Sequence, residues 1–231
     1  MNRAVPICAA VLGTLMFSAA AAPKPKAVPA KPAVPTEIAD STITQDHQTA
    51  QQLYEAAVRD FTAGHLDAAK ALLQKVLAIA PENAPALINL ALIAQRQQQD
   101  GDAEKFLRRV LQKDTQNATA WLLLGIRAYE QDKLDAALAH LAQSVLYAPQ
   151  DARAHQYLGA TLGRRGWYSA GEEELRRAVE LDPKSADAHY NLAAIYMERV
   201  PPAVELARRH YQRALELGAT PDEKLTERIG K

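Results

Sequence analysis

Ala50, Ala84, Ala118, Ala152 and Ala186 stand 34 residues apart along the chain. Leu73, Leu107, Leu141 and Leu175 keep the same step on a second phase, and Pro81, Pro149 and Pro183 on a third, with Thr115 filling the missing turn. A constant period in this range marks stacked supersecondary units, none of which can bury its apolar face without its neighbours. It constrains the 231-residue chain to an extended array rather than a single rounded core. Such an array points to a binding surface before it points to a reaction.

The unit Ala118–Asp151 shows how the step is built. Trp121, Leu124, Gly125 and Ala128 are spaced to fall on one helical stripe. After Asp132, a second run places Ala137, Leu141, Ser144 and Val145 on a matching stripe, and Pro149 ends it because proline cannot continue the hydrogen-bond ladder. Gly125 and Ala137 are small, which predicts a close approach of the two helices. A larger side chain at either place should cost roughly 1–3 kcal/mol through overpacking.

The order Trp121, Leu124, Gly125, Ala128, Tyr129, then Ala137 and Pro149, resembles the tetratricopeptide repeat. The resemblance extends over roughly residues 50–217. It rests on Leu53, Ala56, Ala57, Gly64, Ala69 and Pro81 in the first repeat, and on Leu87, Leu90, Ala91, Ala103 and Leu111 in the second. The fourth has Leu158, Gly159, Gly166, Tyr168 and Pro183, with Gly171 in place of the usual alanine. The fifth has Leu192, Ala193 and Tyr196, then two extra residues around Pro201 and Pro202 before Ala207, Tyr211 and Ala214 resume the pattern. The family implies an all-α, right-handed superhelix (a solenoid) of helix-turn-helix repeats at 50–83, 84–117, 118–151, 152–185 and 186–219. Asp60 departs from the family's usual aromatic, with Phe61 compensating in part. Thr220-Pro221-Asp222-Glu223 reads as an N-cap, a proline at the first helical position and acids in the first turn, so a capping helix is expected over 221–229.

Ahead of the repeats, Arg3, the apolar run Ile7–Phe17 and the small residues Ser18 to Ala22 form the pattern of a secretory signal peptide over 1–21. Its apolar run is shorter than the roughly 20 residues of a membrane span, so no span is expected after cleavage. Cys8 is the single cysteine and precedes most of that run, which is the wrong place for a lipid-attachment cysteine. From residue 22 to 43 the chain is rich in Pro, Ala and Lys and reads as a disordered, semi-rigid linker to a domain at 44–231. Lys and Arg total 27 against 27 Asp and Glu. Four of these bases precede the first acid, Glu37, leaving the remainder at a net charge of −4. A mildly acidic domain argues against nucleic acid as the partner. An exported, periplasmic location is expected.

In such a stack the first helices line the concave side, and their second, fifth, ninth and twelfth positions turn away from the packing stripe. This selects Tyr54, Val58, Ile88, Leu92, Leu122, Ile126, Tyr129, Gln156 and Tyr190 as candidate partner-binding residues, with Asn89 and Asn191 at the groove edge placed to hold a peptide backbone. The runs Ala84–Arg96 and Ala118–Glu130 are apolar nearly all round, which fits either an apolar groove or burial between neighbouring repeats. The clamp with which some family members hold a C-terminal carboxylate is replaced here by Tyr54, Val58, Thr119 and Leu123. His155 and His189 share one repeat position but lack acidic or thiol companions at ligand spacing, so they read as structural. No phosphate loop, nucleophile triad or paired carboxylates stand out, and no catalytic, metal or cofactor site is expected. The expected function is a cell-envelope scaffold or adaptor that takes a peptide or helix of a partner protein. The alternatives are a self-associating structural subunit and, behind it, a carrier of an apolar ligand. Exported proteins with this repeat often serve pilus, secretion, outer-membrane or cytochrome-assembly machines, and the fold alone does not choose among them.

Overall fold

The computed structural model describes the backbone of residues 36–230 and the side chains of residues 45–230. The expected signal peptide, and the expected linker up to residue 35, lie outside the described residues. The chain divides into two units, Met1–Asp40 and Ser41–Lys231. Of the first, residues 36–40 are described, as helical backbone.

The described residues form eleven helices and no strand. They are α1 (Thr36–Thr62), α2 (Leu66–Ile79), α3 (Ala84–Arg96), α4 (Asp100–Lys113), α5 (Ala118–Glu130), α6 (Leu134–Tyr147), α7 (Ala152–Arg164), α8 (Tyr168–Leu181), α9 (Ala186–Met197), α10 (Val204–Glu216) and α11 (Glu223–Gly230). Helix α1 is described from Thr36, inside the 22–43 stretch expected to be a linker. From α1 and α2 onward the helices pair as five hairpins, and α11 follows as a single helix.

Each hairpin is punctuated at fixed phases. The residue before each periodic alanine caps the first helix: the side chains of Asn83, Asn117, Asp151 and Ser185 accept from the backbone N–H groups of Ala86, Ala120, Ala154 and Ala188. Between the two helices, Gly64, Gln98, Asp132 and Gly166 occupy the left-handed region at the same phase. The next residue on that phase is Val200, whose branched side chain disfavours this backbone. There the turn carries its two extra residues instead, and α10 starts at Val204.

Small residues bring the paired helices together. Ala57, Ala91, Gly125, Gly159 and Ala193 face Ala69, Ala103, Ala137, Gly171 and Ala207, all of them buried. Leu73, Leu107, Leu141, Leu175 and Tyr211 pack across the same seam. A Cβ built on Gly125 would lie 2.5 Å from Leu141 Cγ, and one on Gly159 would lie 2.9 Å from the Gly171 carbonyl oxygen. The close approach expected of Gly125 and Ala137 is present.

The array ends where Leu225 and Ile229 of α11 close over the cluster of Leu192, Tyr196 and Tyr211. Its N-cap is Asp222, which accepts from Leu225 N–H at 3.1 Å, and not Thr220 as expected. Asp222 is also fixed from outside the helix, because its own N–H donates to the Tyr211 hydroxyl at 2.7 Å. The start of α11 is thus set by a contact with α10 that local sequence does not contain.

Candidate partner-binding site

The residues expected to face a partner fall into three groups. Leu122 and Ile126 are each 4% exposed and sit in a core with Ala154, Leu158 and Leu162 of the next repeat. This corrects the expectation of an open groove around them. Helix α5 lies directly against α7, and α7 against α9, so the following first helix covers these positions. Ile88 and Leu92 are half-buried against the cluster built from α3, α4 and α5.

A second group is held by polar contacts between repeats. Asn89 Nδ2 donates to the Tyr54 hydroxyl and to the Pro85 carbonyl, both at 3.0 Å. Ser185 Oγ donates to Gln156 Oε1 at 2.9 Å. The Tyr190 hydroxyl donates to the Asp222 carboxylate at 2.6 Å. That hydrogen bond, followed by burial, pushes the Tyr190 phenol up to about 12. These side chains order the stack and its cap, a role their position in a single helix does not reveal. Val58, 36% exposed, and the half-buried Tyr129 are the expected residues left facing outward.

Tyr129 belongs to a ladder along the first helices. In each step, position twelve of one repeat meets position thirteen of the next. Arg96 lies 4.2 Å above the Phe61 ring, Gln95 Nε2 donates to Glu130 at 3.3 Å, and Arg164 lies 4.8 Å above the Tyr129 ring. The next rung would be Gly163 with Glu198. Gly163 has no side chain, and Glu198 turns away to Arg228 at 2.7 Å. Position nine shrinks in the same place, from Val58, Leu92 and Ile126 to Ala160 and Ala194.

The missing side chains leave a cavity of about 430 Å³. Ala160, Gly163, Ala194 and Ile195 line it, Leu175 and Tyr168 reach it from α8, and Tyr129, Arg164 and Glu198 complete the lining. Asn191 joins them, and among the described residues its amide makes no hydrogen bond, in contrast to Asn89 at the same repeat position. The volume lies within the usual range of ligand pockets, roughly 300–1,000 Å³. Apolar walls with a free amide can accept an apolar side chain while hydrogen-bonding the backbone that carries it.

A larger hollow, about 660 Å³, lies beside α8 and is lined mainly by charged residues. Six of its charged or titratable groups are already paired: Glu174 with His155 at 2.6 Å, Glu172 with Arg199 at 3.8 Å, and Arg177 with Glu180 at 3.1 Å. It offers less to a partner than the smaller cavity. His155 and His189 are buried between helices, as expected of structural histidines. Among the described residues no cluster of three or more His, Cys, Asp or Glu is placed to hold a metal ion.

The sequence matches the tetratricopeptide repeat family over residues 60–124 and 101–160, and again, as a TPR repeat, over 173–199. The chain is a tetratricopeptide-repeat protein. Solved structures agree with that fold. PilF of Pseudomonas aeruginosa superposes with a TM-score of 0.72 at 20% identity, over 80% of this chain and 85% of its own. MamA gives a TM-score of 0.60 at 22% identity over 74% and 92%. YrrB, described as a TPR protein with an unusual peptide-binding site, gives 0.60 at 20% identity over 83% and 96%. No curated protein sequence matches the chain. Tetratricopeptide repeats are protein-interaction scaffolds, in families generally without enzymatic activity, and this chain is a scaffold of that type. No helix among the described residues is long and apolar enough to cross a membrane.

Proposed function

We propose that this protein is an exported adaptor of the cell envelope that holds a segment of another protein in the cavity over Ala160, Gly163 and Ala194. The observation that carries the reading is the broken ladder: three consecutive rungs are filled, and the fourth is left open above Ile195. The segment presents one large apolar side chain to the cavity and its backbone to Asn191. Burying such an anchor contributes roughly 1.5–3 kcal/mol before ordering costs. YrrB, of the same fold, is described as binding peptide, which supports a peptide as the occupant. The leader pattern over 1–21 supports export.

A photo-reactive residue at position 194 should form an adduct with a partner protein in intact cells. The same residue at position 101, an exposed site on α4, should not. Filling the cavity with Gly163→Leu should remove the adduct from position 194 while leaving helicity unchanged. Adducts that form equally from both positions, or that persist in the filled variant, would place the partner elsewhere. Self-association is favoured as a second reading by Trp167 and Val200, 55% and 98% exposed in neighbouring turns. A concentration-independent monomer mass in light scattering would remove it.

A further inference from the structure

One pair of facing positions, the fourth of each first helix and its neighbour on the second helix, changes character along the array. Leu53 and Leu72 lie in the first cluster, and Leu87 and Phe106 in the next. In the third repeat Trp121 stacks on His140, with ring centroids 5.4 Å apart. In the fourth, His155 Nδ1 meets Glu174 at 2.6 Å. In the fifth, His189 Nδ1 meets His210 Nδ1 at 2.9 Å.

The outer nitrogen of each ring is fixed in the same way. Trp121 Nε1 donates to the Thr115 carbonyl at 2.9 Å, and His155 and His189 place Nε2 at 3.1 Å and 3.3 Å from the carbonyls of Pro149 and Pro183. A carbonyl only accepts, so the His189 Nε2 carries hydrogen and its Nδ1 is left as acceptor in the neutral ring. His210 then donates from Nδ1, and the seam between α9 and α10 is satisfied with one hydrogen between the rings. One added proton can enter at the other nitrogen of His210 without breaking that bond. A further proton must go to His189 Nδ1, where it faces an N–H already in place and sets two positive rings in contact.

The surroundings do not compensate. Burial, followed by His189, holds His210 below the ordinary histidine value. From α8, Glu172 and Arg176 act on Tyr196, as does Arg199 in the turn, and the Tyr196 ring lies 5.6 Å from His210. At the N-cap of α11, Asp222 is engaged by Tyr190. On α10 itself, Arg209 adds positive charge and Arg213 pairs with Glu216. Among the described residues, His189 is the titratable neighbour that acts on His210. His140, also held low by burial and Arg108, faces an indole rather than a second imidazole and lacks this conflict.

We propose that the His189–His210 pair is a proton-operated latch on the last hairpin, closed while the rings share one hydrogen and opened when both are protonated. Helix α9 carries Asn191, Ala194 and Ile195, so opening removes one wall of the cavity. That consequence rests on the reading of the cavity as the partner site; the latch itself does not.

Hydrogen exchange of the full chain tests it, with α2 as internal reference. A group held low in the folded state loses stability as pH falls through its unfolded value, about 6.5. Protection of α9 and α10 relative to α2 should therefore fall by up to about tenfold per pH unit below that value. The double variant His189→Leu, His210→Phe, which copies the pair of the second repeat, should abolish the fall. His210→Glu, which copies the fourth repeat, should also abolish it. Equal losses in α2 and α10, or an unchanged loss in both variants, would overturn the latch. Imidazole proton shifts in the unmodified chain give a second readout: His210 should titrate below the ordinary histidine value, and an ordinary titration of His210 would overturn the latch. If the exchange pattern holds while crosslinking from position 194 fails, the latch stands and the partner site does not.

Discussion

Replacing Gly159 by alanine adds a single methyl group at the closest approach of α7 and α8. The new Cβ would lie 2.6 Å from Leu175 Cγ, 2.9 Å from the Gly171 carbonyl oxygen and 3.1 Å from the Leu175 backbone nitrogen. Carbon atoms rest at roughly 3.5–4.0 Å. The leucine end can swing, but two of the three atoms are backbone, so the helices must separate. Overpacking of this kind costs roughly 1–3 kcal/mol, and alanine returns roughly 0.5–1 kcal/mol through its better helix propensity. The net expectation is a loss of up to about 2.5 kcal/mol. Gly101→Ala is the control, because its Cβ meets nothing within 4 Å; it should be neutral or stabilising. Urea unfolding followed by circular dichroism compares the two. Exchange protection in α7 and α8 checks that the loss is local, since repeat arrays need not unfold in one step. Adding Leu175→Ala to Gly159→Ala should cost less than the two single changes together. A Gly159→Ala protein as stable as Gly101→Ala would refute the close packing of this hairpin.

Two further outcomes follow from burial and hydrogen bonding. Leu122→Glu puts a carboxylate into the core shared by α5 and α7 and should destabilise by at least about 3 kcal/mol, with loss of cooperative melting. Val58→Glu, at a partly exposed site, should stay within about 0.5 kcal/mol of the parent. A folded Leu122→Glu protein would put Leu122 back on the surface. Among the eight tyrosines, Tyr190 should titrate near 12, and this late step should vanish in Tyr190→Phe. Its raised value means that its contribution to folding is complete below about pH 10 and is lost as pH rises toward 12. An ultraviolet titration identical in both proteins would refute the bond to Asp222.

The hairpins were legible because their determinants are local and periodic. Gly125, Ala137 and Leu141 must lie on facing stripes whatever surrounds them, and Asn83, Asn117, Asp151 and Ser185 cap helices that start one residue later. The site was less legible. Of the expected partner residues, Tyr129 and Asn191 line the cavity. The shrinkage at Ala160, Gly163 and Ala194 stood in the sequence, but as an absence, and an absence becomes a cavity only when neighbouring helices frame it.

The 34-residue step by itself determined the number of hairpins, their turns and the small residues of their seams. These depend on contacts within one unit, which the repeat copies. Tertiary structure decided what each outward residue does. Ile126 and Val58 hold the same ninth place in their repeats, yet one is core and the other surface, because burial between repeats depends on how closely successive first helices pack. The same holds for the histidines: His155 and His189 share a position, and the residue across the seam, Glu174 or His210, decides what a proton does there.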